Sequence, residues 1–155
     1  MAPRRRGSER LRLTEAELAA WGEDFGRACR APLLVALEGE LGAGKTTLAR
    51  AICRGFGVTE DVTSPTFALV HQYEAPGAPV YHLDLYRLSG PRDLTNLGWD
   101  DINTERALVL VEWPDRAGDQ LPPSAVRLAL SHEEGAPDVR VLRVCESDAV
   151  RGAEG

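Results

Sequence analysis

Lysine is almost missing from this 155-residue chain. Of its 18 basic residues, 17 are arginine, and Lys45 is the one lysine. Long apolar runs are missing too. The longest, PLLVAL and ALVLV, have the length of a buried strand, which excludes a helical membrane span. The opening MAPRRRGSERLRL is basic with no apolar stretch behind it, so it does not read as a secretory signal. Cysteine is scarce: Cys29, Cys53 and Cys145 are scattered and odd in number, which argues against a disulfide framework. The three histidines are equally dispersed, and no Cys/His spacing suits a metal site. Buried or idle thiols in a reducing, cytoplasmic setting are expected.

Charge is present but uneven. Residues 1–12 carry Arg4, Arg5, Arg6, Arg10 and Arg12 against Glu9, a local balance of +4. The formal total is −6, so the remainder stands at −10. An acidic body is a poor electrostatic match for nucleic acid, which is held mainly by cations on phosphates. The tail is read as a solvated, flexible terminus over residues 1–12, with the folded domain over 13–147 and a frayed end over 148–155.

Within the body, Thr14 and Glu17 form a capping-box pattern, and Leu18, Trp21, Phe25 and Cys29 recur at helical spacing. The pattern predicts a helix over 15–30, ended before Pro32. LLVALE reads as a buried strand ending at Glu38. A helix over 44–56 follows, closed by Gly57. VTEDVTSPT is a polar connection. FALVHQY and VYHLDLY form a hairpin about EAPGAP, and SGPRDLTNLGW suggests a short helix starting near Pro91. RALVLVEW is another buried strand, stopped by Pro114. AVRLALSH and DVRVLRVCE make a terminal hairpin around EEGAP. The expectation is an α/β fold: a single P-loop NTPase-like domain, its central, mostly parallel sheet flanked by helices, with antiparallel hairpins.

Between the first strand and its helix lies LEGELGAGKTTLARA, where Gly39, Gly44, Lys45 and Thr46 satisfy G-x-x-x-x-G-K-[ST]. Glycines let the backbone curl with its N–H groups inward, and the helix start adds the positive end of its dipole. A compact ammonium reaches terminal phosphates as a point charge, where the planar fork of arginine is too bulky. That explains a lysine in a chain that otherwise uses arginine. The expected phosphate cradle is Gly39, Glu40, Leu41, Gly42, Ala43, Gly44, Lys45, Thr46 and Thr47, with the Thr46 hydroxyl placed for magnesium. The Asn-Lys-x-Asp element of guanine recognition needs a second lysine, so ATP is the expected nucleotide.

Magnesium-dependent phosphoryl transfer also needs a carboxylate at the end of a neighbouring strand. Asp84 ends VYHL and Glu112 ends LVLV. One holds magnesium and the other orients the attacking water, in an order the sequence leaves open. Lys45, Asp84 and Glu112 are thus the expected catalytic residues, and Thr46, Asp84 and Glu112 the expected metal set. TSPTF, residues 63–67, is either a loop that senses the terminal phosphate through Ser64 and Thr66 or an ordinary turn. Arg87 either stabilises transition-state charge or pairs with an acid. His82 is either core or functional, and Trp113 either stacks on a ligand or is buried.

Taken together, LEGELGAGKTTLARA, VTSPTFALVHQY, YHLDLYRL and VEWPDR resemble one family, the bacterial P-loop ATPase TsaE (earlier YjeE) of tRNA threonylcarbamoyladenosine synthesis. The likeness covers about residues 13–144, in order and spacing. GWDDINTERA is a looser version of the acidic-aromatic stretch usual there. The resemblance implies ATP hydrolysis with Mg2+ and work alongside TsaB and TsaD, the latter transferring the threonylcarbamoyl group onto an adenosine beside the anticodon. Contact with tRNA would be indirect. Carried over, Lys45 and Thr46 match the phosphate and magnesium positions, Ser64 and Thr66 a switch-like loop, Asp84 the strand-end aspartate, and Glu112 with Trp113 the EW motif. Slow hydrolysis in isolation is expected, because completing groups arrive on docking. Two other readings stand beside this one: a small-molecule kinase using the same loop, and a switch that binds nucleotide and barely hydrolyses it.

Overall fold

The structure, a computed structural model, describes residues 8–40, 42–62, 70–88, 92–95, 97–122 and 124–145. Seven strands form one mixed sheet in the order β1-β7-β6-β2-β5-β4-β3. They are β1 (Ser8–Thr14), β2 (Leu33–Glu38), β3 (Val70–Tyr73), β4 (Val80–Asp84), β5 (Leu108–Glu112), β6 (Val126–Glu133) and β7 (Ala136–Cys145). Strands β6, β2, β5 and β4 run parallel and make the centre. The β3–β4 and β6–β7 pairs are the two expected antiparallel hairpins.

The central strands are apolar on both faces, as a sheet covered on both sides must be. Val35, Leu37, Leu108, Leu110 and Leu128 point to one side, where they meet Leu18 of α1 (Glu15–Ala28) and Leu48 and Ile52 of α2 (Lys45–Phe56). Leu34, Ala36, Val109 and Val111 alternate to the other side. There they meet Leu94 of α3 (Arg92–Thr95), Trp99 and Ile102 of α4 (Trp99–Thr104) and Ala117 of a 3-10 segment, Pro114–Gln120. Where one short helix is expected near Pro91, two are found, with Gly98 in a left-handed conformation starting the second.

Helix α1 begins on the capping box read from sequence. Thr14 Oγ1 accepts from the Glu17 amide at 3.2 Å, and Glu17 Oε1 accepts from the Thr14 amide at 2.9 Å, worth about 1 kcal/mol. It ends at Ala28, two residues early, because Cys29 is already extended. Helices α1 and α2 approach each other through glycine. A Cβ on Gly26 would lie 2.2 Å from the Ile52 carbonyl oxygen, and one on Gly55 would lie 2.0 Å from that of Glu23. These close approaches set the two helices backbone to backbone near the C-terminal end of α2.

One expectation is corrected. Residues 8–12 are not a loose tail but part of β1, paired antiparallel with β7 from Ser8↔Cys145 to Thr14↔Val139. The arginines mask an alternation in which Leu11 and Leu13 pack on the core while Arg10 and Arg12 stay exposed. Arg12 pairs with Glu133 at 2.5 Å. Residues 1–7 and 146–155 lie outside the described residues, as do Phe67–Leu69 of the expected FALVHQY strand. Cys29 and Cys53 are buried, and burial pushes both thiols up to about 12, which makes them inert.

Candidate functional site

The site forms at the carboxyl ends of three parallel strands. β2 leads into the glycine loop, β5 ends at Glu112 and β4 ends at Asp84. In an open α/β sheet this edge is where ligands bind. Asp84 and Glu112 are register partners on adjacent strands, so their side chains project side by side on the α2 face.

The loop turns on three glycines with positive φ: Gly39 at 146°, Gly42 at 80° and Gly44 at 107°. Gly44 cannot be helical with that φ, so α2 starts at Lys45, one residue later than expected. A Cβ on Gly39 would strike the Leu130 carbonyl oxygen at 2.6 Å, whereas one on Gly42 would meet nothing within 4 Å. The first position is therefore glycine for close packing as well as conformation, and the second for conformation alone. Among the described residues, no side chain caps the first turn of α2, and no acid lies in that turn. Its amides are left for an outside acceptor, which is the arrangement of an anion site.

Lys45 opens that helix and is only 6% exposed. Its Nζ donates to the Gly39 carbonyl and, at 3.2 Å, to that of Glu40. It also sits 4.2 Å from the centre of the Trp113 ring. Burial holds the ammonium below the usual lysine range, while Glu112 and then Asp84 pull it back up. Burial likewise pushes Asp84 above the usual carboxylate range; its hydrogen bond from the Tyr86 amide, 3.0 Å to Oδ1, acts the other way. Glu112 is 3% exposed and pairs with His82, Nε2 to Oε2 at 2.7 Å.

These groups face one cleft of about 350 Å³, lined among others by Gly42, Gly44, Lys45, Thr46, Thr47, Asp84, Glu112 and Trp113. Gly39, Glu40 and Ala43 shape the loop from behind: the first two supply the carbonyls under Lys45, and Ala43 is fully buried. Leu41, Ser64 and Thr66 lie outside the described residues. Arg87 is exposed and does not line the cleft. Trp113 lines the cleft and is half-buried there. Three further lining residues, Glu15, Tyr86 and Arg140, come from α1, the turn after β4, and β7. Tyr86 was within reach of the sequence, because it sits inside YHLDLYRL. Glu15 and Arg140 carry no local signal; the pairing of β1 with β7 brings them to the cleft.

The donor set suits a nucleotide. An uncapped helix start, left-handed glycines and a buried ammonium match phosphate, while a hydroxyl and a carboxylate facing the same space match a hard divalent cation. Among the described residues, no group of three or more His, Cys, Asp or Glu could hold a metal by itself.

A glycine loop joining strand to helix, with carboxylates ending the two strands beyond it, defines the nucleotide-binding P-loop class. Within that class, the family model described as threonylcarbamoyl adenosine biosynthesis protein TsaE matches residues 13–141, and the chain belongs to the TsaE family. Curated relatives named tRNA threonylcarbamoyladenosine biosynthesis protein TsaE include that of Streptomyces coelicolor, 39% identical over 79% of this chain and 86% of the relative. That of Haemophilus influenzae is 36% identical over 71% of this chain and 70% of the relative. The crystal structure of Bacillus subtilis YdiB shares the fold, with a TM-score of 0.77 at 23% identity over 96% of this chain and 97% of that one. Among the described residues, no helix is long and apolar enough to cross a membrane.

Proposed function

We propose that the chain is the ATP-hydrolysing subunit of the machinery that makes tRNA threonylcarbamoyladenosine, a cytoplasmic protein whose Mg2+-dependent ATP cycle supports turnover of a TsaD–TsaB-type transferase. Membership of the TsaE family supports the pathway. The observation that carries the chemistry is the convergence of Lys45, Thr46, Asp84 and Glu112 on one cleft at the glycine loop.

In this reading the amides of the loop and of the first turn of α2 hold the phosphates, with Leu41 and Thr66 adding contacts by family likeness. Lys45 supplies a cation to the terminal phosphates. Thr46 and Asp84 would hold Mg2+, which neutralises charge on the phosphate oxygens when bound. Glu112 orients the attacking water. Asp84 is half-exposed at the cleft and its carboxylate is fixed by the Tyr86 amide, which suits a metal ligand. Glu112 stands beside it at 3% exposure and still lines the cleft, which suits a group that holds one water. The acidic balance, −6 over the whole chain, fits a protein whose tRNA contact is indirect, through its partners.

The small-molecule kinase reading is set aside, because relatives at 32–39% identity all carry the tRNA-modification name. ATP turnover measured with and without TsaB- and TsaD-type partners tests the proposal. Stimulation by the pair is expected. A small hydroxylated acceptor that becomes phosphorylated instead would overturn it.

A further inference from the structure

His82 is the one fully buried polar side chain, at 0% exposure, among the described residues. It occupies β4 opposite Leu110 of β5, on the face that carries Val80 and the α2 core. Its Nδ1 is buried and has no hydrogen-bond partner among the described residues. A leucine would fill such a position without stranding a polar atom, so packing does not account for an imidazole here. Its one polar contact among the described residues does: Nε2 lies 2.7 Å from Glu112 Oε2.

A carboxylate only accepts, so the proton in this bond sits on Nε2, and Nδ1 is the ring nitrogen left without a partner among the described residues. The bond occupies one oxygen of Glu112 and leaves Oε1 for the cleft. His82 also lies two residues before Asp84 on the same strand face, and Asp84 is the register partner of Glu112. It therefore stands behind both carboxylates, walled in by core, where it can reach no substrate.

We infer that His82 is a positioning residue for the hydrolytic step: through its Nε2–H it locks the rotamer of Glu112, so that a single carboxylate oxygen is aimed at the attacking water. The inference rests on reading the cleft as an ATP-hydrolysing site. A carboxylate freed from this bond can rotate, and small misplacements of an orienting group cost rate more than affinity. The phosphate cradle is built from other residues and is left alone.

The test compares the full-length wild type with His82→Leu and His82→Gln. Gln places an amide N–H near the position of Nε2, and Leu places nothing there. Mg-ATP affinity is read by calorimetry and single-turnover hydrolysis with the partner proteins present. The expected result is a fall of about 10- to 100-fold in hydrolysis for His82→Leu, nucleotide affinity within about threefold of wild type, and recovery of most of the rate in His82→Gln. Unchanged hydrolysis in His82→Leu would overturn the inference. So would a parallel loss of affinity, rate and melting temperature that Gln does not restore, since that is the pattern of a core residue. Should His82→Leu not fold, nitrogen-15 NMR of the wild-type imidazole decides independently of activity: an Nε2–H tautomer is expected, and an Nδ1–H tautomer would contradict the bond. A wild type that fails to hydrolyse ATP at all would instead sink the reading of the cleft, and the NMR result would still stand on its own.

Discussion

The ammonium of Lys45 lies 4.2 Å from the centre of the Trp113 ring, and Trp113 reaches that place on a left-handed backbone, φ 58° and ψ 54°. It is the one positive-φ residue other than glycine among the described residues. Such a conformation in a bulky residue is costly and tends to persist where a site requires it. Here it turns the chain straight after Glu112 and lays the indole along the cleft, with Tyr86 tilted against it at 4.9 Å between ring centres.

A triphosphate in the glycine loop draws the ammonium toward the phosphates and off the indole face. Trp113 emission should therefore change when Mg-ATP saturates the protein. Trp99 is buried on the other side of the sheet, and Trp21 sits in α1 against Phe25, so Trp113→Phe should remove the change. Constant emission at saturation, or the same change in Trp113→Phe, would contradict this geometry.

Asp84 should cost the free protein stability. Burial, the largest influence, raises its carboxyl above the ordinary value of 3.8. The folded state then holds the proton more tightly than the unfolded chain does. Stability from this group is thus present at low pH and lost as pH rises through the folded value. Asp84→Asn, without nucleotide, should melt higher at pH 7, by less than about 1 kcal/mol at this half-exposed position, or about 2–4 °C at most. The gain should vanish as pH falls toward 3.8. Differential scanning calorimetry across pH checks both; a lower melting temperature at pH 7 would contradict the assignment.

The close approach of α1 and α2 makes a second stability prediction. Gly26→Ala drives a methyl group to 2.2 Å from the Ile52 carbonyl oxygen. Overpacking of this kind costs about 1–3 kcal/mol, a fall of about 2–12 °C in melting temperature. Gly77→Ala, where a Cβ meets nothing within 4 Å, should stay within about 0.5 kcal/mol of wild type. Thermal melts of the two variants, expected to differ, are a direct check; equal melting temperatures would mean that the helices are not in backbone contact.

The sequence showed the centre of the fold because its signals are local. LLVALE, ALVLV and the capping box at Thr14 and Glu17 each sit within a few residues, and so does the glycine loop. What it hid depends on register. The arginines of SERLRLT disguised an edge strand whose partner, β7, lies more than a hundred residues away. The pairing of His82 with Glu112 spans two strands and a helical crossover, and left His82 undecided between core and function. Nothing local marks Gly22, Gly26 and Gly55; their role shows only when α1 and α2 are set against each other, where Cβ atoms would collide. Glu15 and Arg140 reach the cleft only through tertiary packing.

The central claim is that the backbone around Gly39 to Thr46 and the Lys45 ammonium hold the phosphates of ATP. Calorimetric titration of Mg-ATP into the wild type and Lys45→Ala tests it most directly, with circular dichroism to confirm that both are folded. The account predicts saturable heat for the wild type and an affinity about 10- to 100-fold weaker for Lys45→Ala, the loss expected for charge-assisted bonds to phosphate. No heat from the folded wild type, or equal affinity in Lys45→Ala, would contradict it.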